Sequence, residues 1–200
     1  MTNLLQRSIT GAVLVLVITL AIYSSHISFV LLILAINILA LLEFYHLFAS
    51  VEILPRKNTG LILSVSLLLT NTLFIIGSID WIILLINIPF AFFIFINELY
   101  LKAKNPFQNI ALTFLGIIYI TMPLCFFINI SFLPHGSNAY YFQKILGYFF
   151  ILWASDTGAY FAGRYFGRHL LFKRISPKKT WEGSLGGTIC ALMVSYFTSL

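Results

Sequence analysis

Long apolar runs, each broken by a short polar or turn-forming segment, set the pattern of this chain. The charge-poor stretches are residues 8–24, 27–48, 60–78, 80–97, 109–132, 142–163 and 183–200. Each is close to the roughly 20 residues that an α-helix needs to cross the hydrocarbon core of a bilayer. The breaks have a chemical cause. Ser24-Ser25-His26 predicts a tight turn and Pro55-Arg56-Lys57-Asn58 a polar loop, while Lys102 to Pro106 and Pro134 to Asn138 each stop one helix before the next begins. Read as a signal peptide, the first run would take Arg7 as its basic region, but no small-x-small cleavage site follows it. The pattern therefore predicts an all-α, polytopic membrane bundle of about seven transmembrane helices, forming a single membrane-embedded domain over residues 1–200 with no internal repeat.

Composition closes off the alternatives. Hydrophobic residues make up 60% of the chain and charged residues 9%, against about 45–50% and about 25% in soluble domains. Six acidic side chains and twelve basic ones are too few to solvate a globule of 200 residues. Soluble enzymes, secreted disulfide scaffolds, disordered tails and nucleic-acid-binding domains are excluded. Cys125 and Cys190 sit in apolar runs and define no disulfide framework or zinc spacing.

The positions of the charges add a topology. Arg7, Arg56, Lys57, Lys102, Lys104 and the six cations from Arg164 to Lys179 fall on the N-terminal side of the predicted spans, and Lys144 alone on the other. Short loops rich in Lys and Arg stay cytoplasmic, so the N-terminus and the loop 164–182 are expected inside the cell.

Candidate chemistry is concentrated between Trp153 and Gly187. Asp156 lies within an apolar run, where an ionisable side chain costs roughly 2.5–3.5 kcal/mol on insertion scales and usually faces a protein interior or a wet cavity. Around it Ala154, Gly158 and Ala162 recur every four residues, as do Ser155, Ala159 and Gly163; such ridges predict close helix packing, not a nucleotide-binding glycine loop. Asp156, Tyr160 and Arg164 follow one another at helical spacing along one face. The loop 164–182 carries six cations and Glu182. A membrane anchor touching anionic head groups would account for any basic loop. The order of residues suggests more: Ser176-Pro177 can open a helix or turn, and Lys178, Lys179 and Thr180 then gather donors before the last apolar run, as a phosphate site at a helix N-terminus would require. Lys179-Thr180 is not a Walker A ending, since the upstream glycines and strand are missing. Glu43 and His46 form one Glu-x-x-His pair where a di-iron bundle needs two, and His26, His135 and His169 have no ligand-spaced partners.

The blocks Asp156-Thr157-x-Ala159-Tyr160-x-x-Gly163-Arg164 and Ser176-Pro177-Lys178-Lys179-Thr180-Trp181-Glu182-Gly183 resemble those of the CDP-diacylglycerol synthases, or phosphatidate cytidylyltransferases. Glu43-Phe44-Tyr45 is a weaker echo of the family. The resemblance implies a bacterial inner-membrane enzyme that joins CTP to phosphatidate, giving CDP-diacylglycerol and pyrophosphate with Mg²⁺. It involves no nucleic acid, and a homodimer is compatible with it. Family members end in a signature of Lys-Asp, His-Gly-Gly and Asp-Arg-x-x-Asp elements. This chain lacks them, so a C-terminally incomplete enzyme is expected.

Such a transfer needs positioning and cations more than a strong base, because a phosphomonoester is already largely anionic near neutral pH. The expected catalytic groups are Asp156, as metal ligand or as partner of a basic residue, with Lys178 and Lys179 on the CTP phosphates. Arg164, Arg168, Lys173 and Arg174 are expected to hold phosphatidate, with Thr157, Ser176, Thr180 and Glu182 in support. On sequence alone a catalytically incomplete fragment, a CTP-dependent polyprenol kinase and an anion transporter with a cationic cytoplasmic mouth remain open.

Overall fold

Helices occupy each of the seven expected runs in the computed structural model, which describes residues 2–48, 53–132 and 139–199. They are α1 (Thr2–Ser24), α2 (His26–Phe48) and α3 (Lys57–Ile75), then a 3₁₀ turn Trp81–Ile86 leading into α4 (Asn87–Leu101). Next come α5 (Pro106–Gly116), a π-helical segment Ile117–Thr121 and α6 (Met122–Ile130), then α7 (Phe142–Phe166) and, after a short hairpin, α8 (Trp181–Ser199). Four of these stretches are long and apolar enough to cross a membrane: His26–Phe48, Lys57–Ile75, Trp81–Leu101 and Pro106–Ile130. The apolar part of α1, Ile9–Ser24, is shorter, and α7 and α8 are diluted by glycine and hydroxyl residues. The chain is a helical membrane protein. The Arg7 side chain and the break at Pro134 to Asn138 lie outside the described residues.

The chain divides into two compact units, residues 1–142 and 143–200. The first is held by polar groups as much as by apolar ones. In hydrocarbon a polar atom must find its partner inside the protein, and three buried side chains close a ring that does so. Asn37 on α2 donates to Ser64 Oγ on α3 at 2.6 Å, Ser64 and Thr121 share a hydrogen bond of 2.9 Å, and Thr121 donates to Asn37 Oδ1 at 2.9 Å. The π turn that ends at Thr121 has a local cause. Pro123 cannot donate to the carbonyl four residues back and would clash with it, and a widened turn just before it relieves both problems.

A second network ties the segment after α2 to α4 and α5. Glu98, 2% exposed, forms an ion pair with Arg56 and accepts a hydrogen bond from Asn109 Nδ2 at 2.8 Å. Asn109 Oδ1 accepts from the Leu54 N–H at 2.7 Å, and Thr113 Oγ1 from the Arg56 N–H at 2.8 Å. Tyr45 completes the network through its hydroxyl to the Thr113 carbonyl at 2.8 Å. Arg56, expected in a polar loop, is thus the half-buried partner of a buried carboxylate. At the other end of this unit Tyr140 donates to the Ile22 carbonyl at 2.8 Å. Burial pushes its hydroxyl up to about 12, so it serves as a donor at any ordinary pH.

Removing one partner of a buried ion pair strands the other charge. Arg56→Ala is expected to destabilise the detergent-solubilised chain by roughly 3–5 kcal/mol. Adding Glu98→Ala should restore part of that loss, a non-additivity that a double-mutant cycle in thermal unfolding reads directly.

Candidate active site

The second unit brings the chemistry-bearing residues together through a close approach of two helices. Positions on α7 and α8 that would carry a Cβ in most helices are glycine at the crossing. A Cβ on Gly158 would stand 2.6 Å from Cys190 Sγ and 2.8 Å from the Gly186 carbonyl oxygen; on Gly187 it would stand 2.8 Å from the Ser155 carbonyl oxygen. Either is closer than real Cβ contacts allow, so the small-residue ridges on α7 do pack as expected, against Gly183, Gly186 and Gly187 of α8.

Between the helices the chain forms β1 (Leu170–Phe172) and β2 (Ser176–Thr180), paired antiparallel with Leu170 opposite Thr180 and Phe172 opposite Ser176. This corrects one expectation. Ser176-Pro177 does not open α8; it begins a strand, and α8 starts five residues later at Trp181. Proline fixes φ near the extended range and disfavours helix in the residue before it, while a two-stranded ribbon leaves an outer edge on which a missing N–H costs nothing.

The helix cap is Thr180. Its Oγ1 accepts the Gly183 N–H at 3.1 Å, as an N-cap hydroxyl does. Glu182, in the first turn, clasps the start of the hairpin. Its carboxylate accepts the Arg168 N–H at 3.2 Å, the His169 N–H at 3.3 Å and pairs with His169 Nδ1 at 2.7 Å, while the Trp181 N–H donates to the His169 carbonyl at 2.9 Å. The hydrogen bond with His169, helped by these backbone N–H groups, holds the Glu182 carboxyl down to about 2.

A pocket of about 400 Å³ opens where α7, β2 and α8 meet, lined by Ala159, Tyr160, Gly163, Arg164, Lys178, Lys179, Thr180, Gly183 and Ser184. Its size is in the range of ligand sites. Three cations face it with no carboxylate among the lining residues. On α7, Arg164 Nη1 donates to the Tyr160 hydroxyl at 2.9 Å, which fixes the guanidinium at the rim. Thr180 uses a lone pair on Gly183, so its own O–H proton is free for a ligand. The first-turn amides offer less than expected, because Trp181 and Gly183 spend theirs within the protein.

The pocket thus unites four of the expected residues, Arg164, Lys178, Lys179 and Thr180, with Tyr160 and Ser184. Ser184 was not among them; one turn past an N-cap threonine, its position was the available signal. Asp156, on α7 one turn before Tyr160, and its neighbour Thr157 are exposed and do not line it. Arg168, Lys173, Arg174 and Ser176 also lie outside it, Lys173 and Arg174 at the hairpin turn.

The model of the cytidylyltransferase family matches residues 5–200. The chain belongs to the cytidylyltransferase family. It is 36% identical over 95 residues to a phosphatidate cytidylyltransferase of Haemophilus influenzae, a match covering 47% of this chain and 32% of that protein. It is also 36% identical over 93 residues to the protein of that name from Staphylococcus aureus strain COL, covering 46% and 33%, and 34% identical over 93 residues to that of Staphylococcus haemolyticus. The matched region is about a third of the length of these curated relatives.

Nucleotidyl transfer generally employs a divalent cation, and Mg²⁺ takes oxygen ligands, commonly one or two carboxylates with substrate phosphates. The donor set of this unit does not fit such a site. Among the described residues no three His, Cys, Asp or Glu side chains gather. Glu182 is committed to the hairpin, and Asp156 lies outside the pocket where substrate phosphates would sit.

Glu182 has a pH signature. Its carboxyl sits below the ordinary value of 4.5 at about 2, so the clasp stabilises the hairpin fully above the ordinary value and loses that contribution as pH falls toward the lower one. The Arg168 and His169 amide resonances are expected to titrate together near the lower value, and Glu182→Gln to abolish that step, as read by NMR of the chain in detergent micelles.

Proposed function

We propose that this chain carries the phosphate-binding face of a phosphatidate cytidylyltransferase, which makes CDP-diacylglycerol and pyrophosphate from CTP and phosphatidate at the inner face of a bacterial membrane. The observation that supports it most is the pocket with Arg164, Lys178 and Lys179 around the hydroxyl of Thr180. In the reaction a phosphatidate oxygen attacks the α-phosphorus of CTP, a P–O bond forms, and the bond to the leaving pyrophosphate breaks. Two polyanions must meet, and the barrier is largely their repulsion and their alignment.

In this reading Lys178 and Lys179, adjacent on β2, hold the CTP phosphates as point charges. Arg164 presents a planar fork to the phosphate of phosphatidate, and the Thr180 hydroxyl donates to a non-bridging oxygen. No base is required. Asp156, one helical turn before Tyr160, stays outside the pocket and takes no part in this reading. Mg²⁺ is the divalent ion that the resemblance implies; no carboxylate lines the pocket to hold it, and the described residues give it no step. A cytoplasmic loop 164–182 places the cations on the side where CTP is found, in keeping with the positive-inside rule.

The test is transfer of label. Membranes containing the chain are given phosphatidate with CTP labelled either in the cytosine or in the γ-phosphate. The chain is expected to bind CTP in equilibrium dialysis, Lys179→Ala weakening that binding roughly 10–100-fold, the equivalent of one charge-assisted contact, and any label that enters lipid is expected to be that of the cytosine. Label arriving from the γ-phosphate instead would identify a lipid kinase. If neither label enters lipid and the chain binds no CTP in equilibrium dialysis, the reading fails.

A further inference from the structure

The two hairpin cations that stay out of the pocket stand in a distinctive setting. Phe172 to Ile175 form a reverse turn, closed by the Ile175 N–H donating to the Phe172 carbonyl at 3.2 Å. Lys173 and Arg174 occupy its two central positions, both exposed. The residues on either side are apolar and even more open than most lipid-facing positions of the helices: Phe172 is 60% exposed and Ile175 82%. A soluble hairpin would place polar groups there, and a helix-packing surface would not carry charge at its centre.

From this setting we infer that the hairpin turn Phe172–Ile175 is a membrane-interface anchor. Phe172 and Ile175 enter the head-group region, and Lys173 and Arg174 pair with anionic lipid phosphates. The occupant follows from charge. The turn has two cations and no acid, and the only carboxylate of the hairpin region, Glu182, is engaged at the opposite end of the ribbon by His169 and backbone N–H groups. Two apolar side chains astride two cations match an interface that is hydrocarbon below and phosphate above. Lys173 and Arg174 therefore recognise lipid phosphate as a surface, not as substrate. The inference rests on the chain being a membrane protein and not on its reaction, and its test uses no nucleotide.

An environment-sensitive fluorophore is attached to Ile175→Cys in the full chain, with Cys190→Ala to remove a competing thiol; Cys125 is buried. The chain is reconstituted in vesicles of phosphatidylcholine alone or mixed with phosphatidylglycerol, each with a head-group-level nitroxide lipid as quencher. Quenching is expected to rise with the phosphatidylglycerol fraction and to fall in high salt, which shortens the screening length from about 10 Å at 0.1 M to about 3 Å at 1 M. Each cation near an anionic surface is worth roughly a five-fold change in association, so Lys173→Gln with Arg174→Gln should shift the lipid titration by roughly 25-fold. A probe that stays unquenched in both lipids overturns the anchor. So does quenching indifferent to lipid charge, which would leave the cations without a role. Disulfide cross-linking between copies at Ile175→Cys without lipid quenching would also overturn it, in favour of a second chain as the occupant.

Discussion

The close approach of α7 and α8 is the constraint from which the rest of the candidate site follows. Glycine at positions 158, 183, 186 and 187 lets the two backbones meet with carbonyl oxygens where side chains would otherwise be. That contact brings the start of α8 beside Gly163 and Arg164, and Thr180, as cap of α8, is carried with it. The two lysines precede Thr180 directly, so they arrive at the same place. The pocket is a by-product of helix packing: it opens beside the crossing, and three cations are among the side chains that line it.

The first unit meets a different physical demand by related means. Its buried polar side chains, among them Asn37, Ser64, Thr121, Asn109 and Glu98, are each within a hydrogen-bonded set, and no buried side-chain nitrogen or oxygen among the described residues lacks a partner. Apolar contact alone cannot specify helix pairing in lipid, because hydrocarbon tails solvate leucine as well as another helix does. Hydrogen bonds between α2, α3 and the π segment supply the register that the apolar surface does not.

Much of the fold was legible in the residues because hydrocarbon thickness leaves a coarse and repeated mark. All seven apolar runs are helices, and the ridge at Ser155, Gly158, Ala159 and Ala162 announced the seam it forms. What escaped the pattern was three-dimensional partnering. Arg56 and Glu98 are 42 positions apart, and nothing local distinguishes a buried ion pair from a loop cation and a helix-end acid. The hairpin escaped for another reason. Ser-Pro opens helices and extended segments alike, and the choice was made by pairing with Leu170 to Phe172, a run too short to show a period. The sequence singled out Arg164, Lys178, Lys179 and Thr180, which line the pocket. It did not separate them from Lys173 and Arg174, because charge is visible in a sequence and the direction of a turn is not.

The junction of β2 and α8 has a consequence for how a ligand would be met. Thr180 is the last residue of the strand and the cap of the helix, with no connecting residue between them. Lys178 and Lys179 therefore sit on a segment anchored at one end by a helix and paired with the neighbouring strand on either side of them, at Ser176 and Thr180. A phosphate-binding loop that must be ordered when the ligand arrives does so at an entropic cost that weakens binding. Here the backbone ordering is complete once the chain has folded. The lysine side chains alone retain freedom to lose, and the wall they form is pre-organised, more like the face of a rigid element than a closing loop.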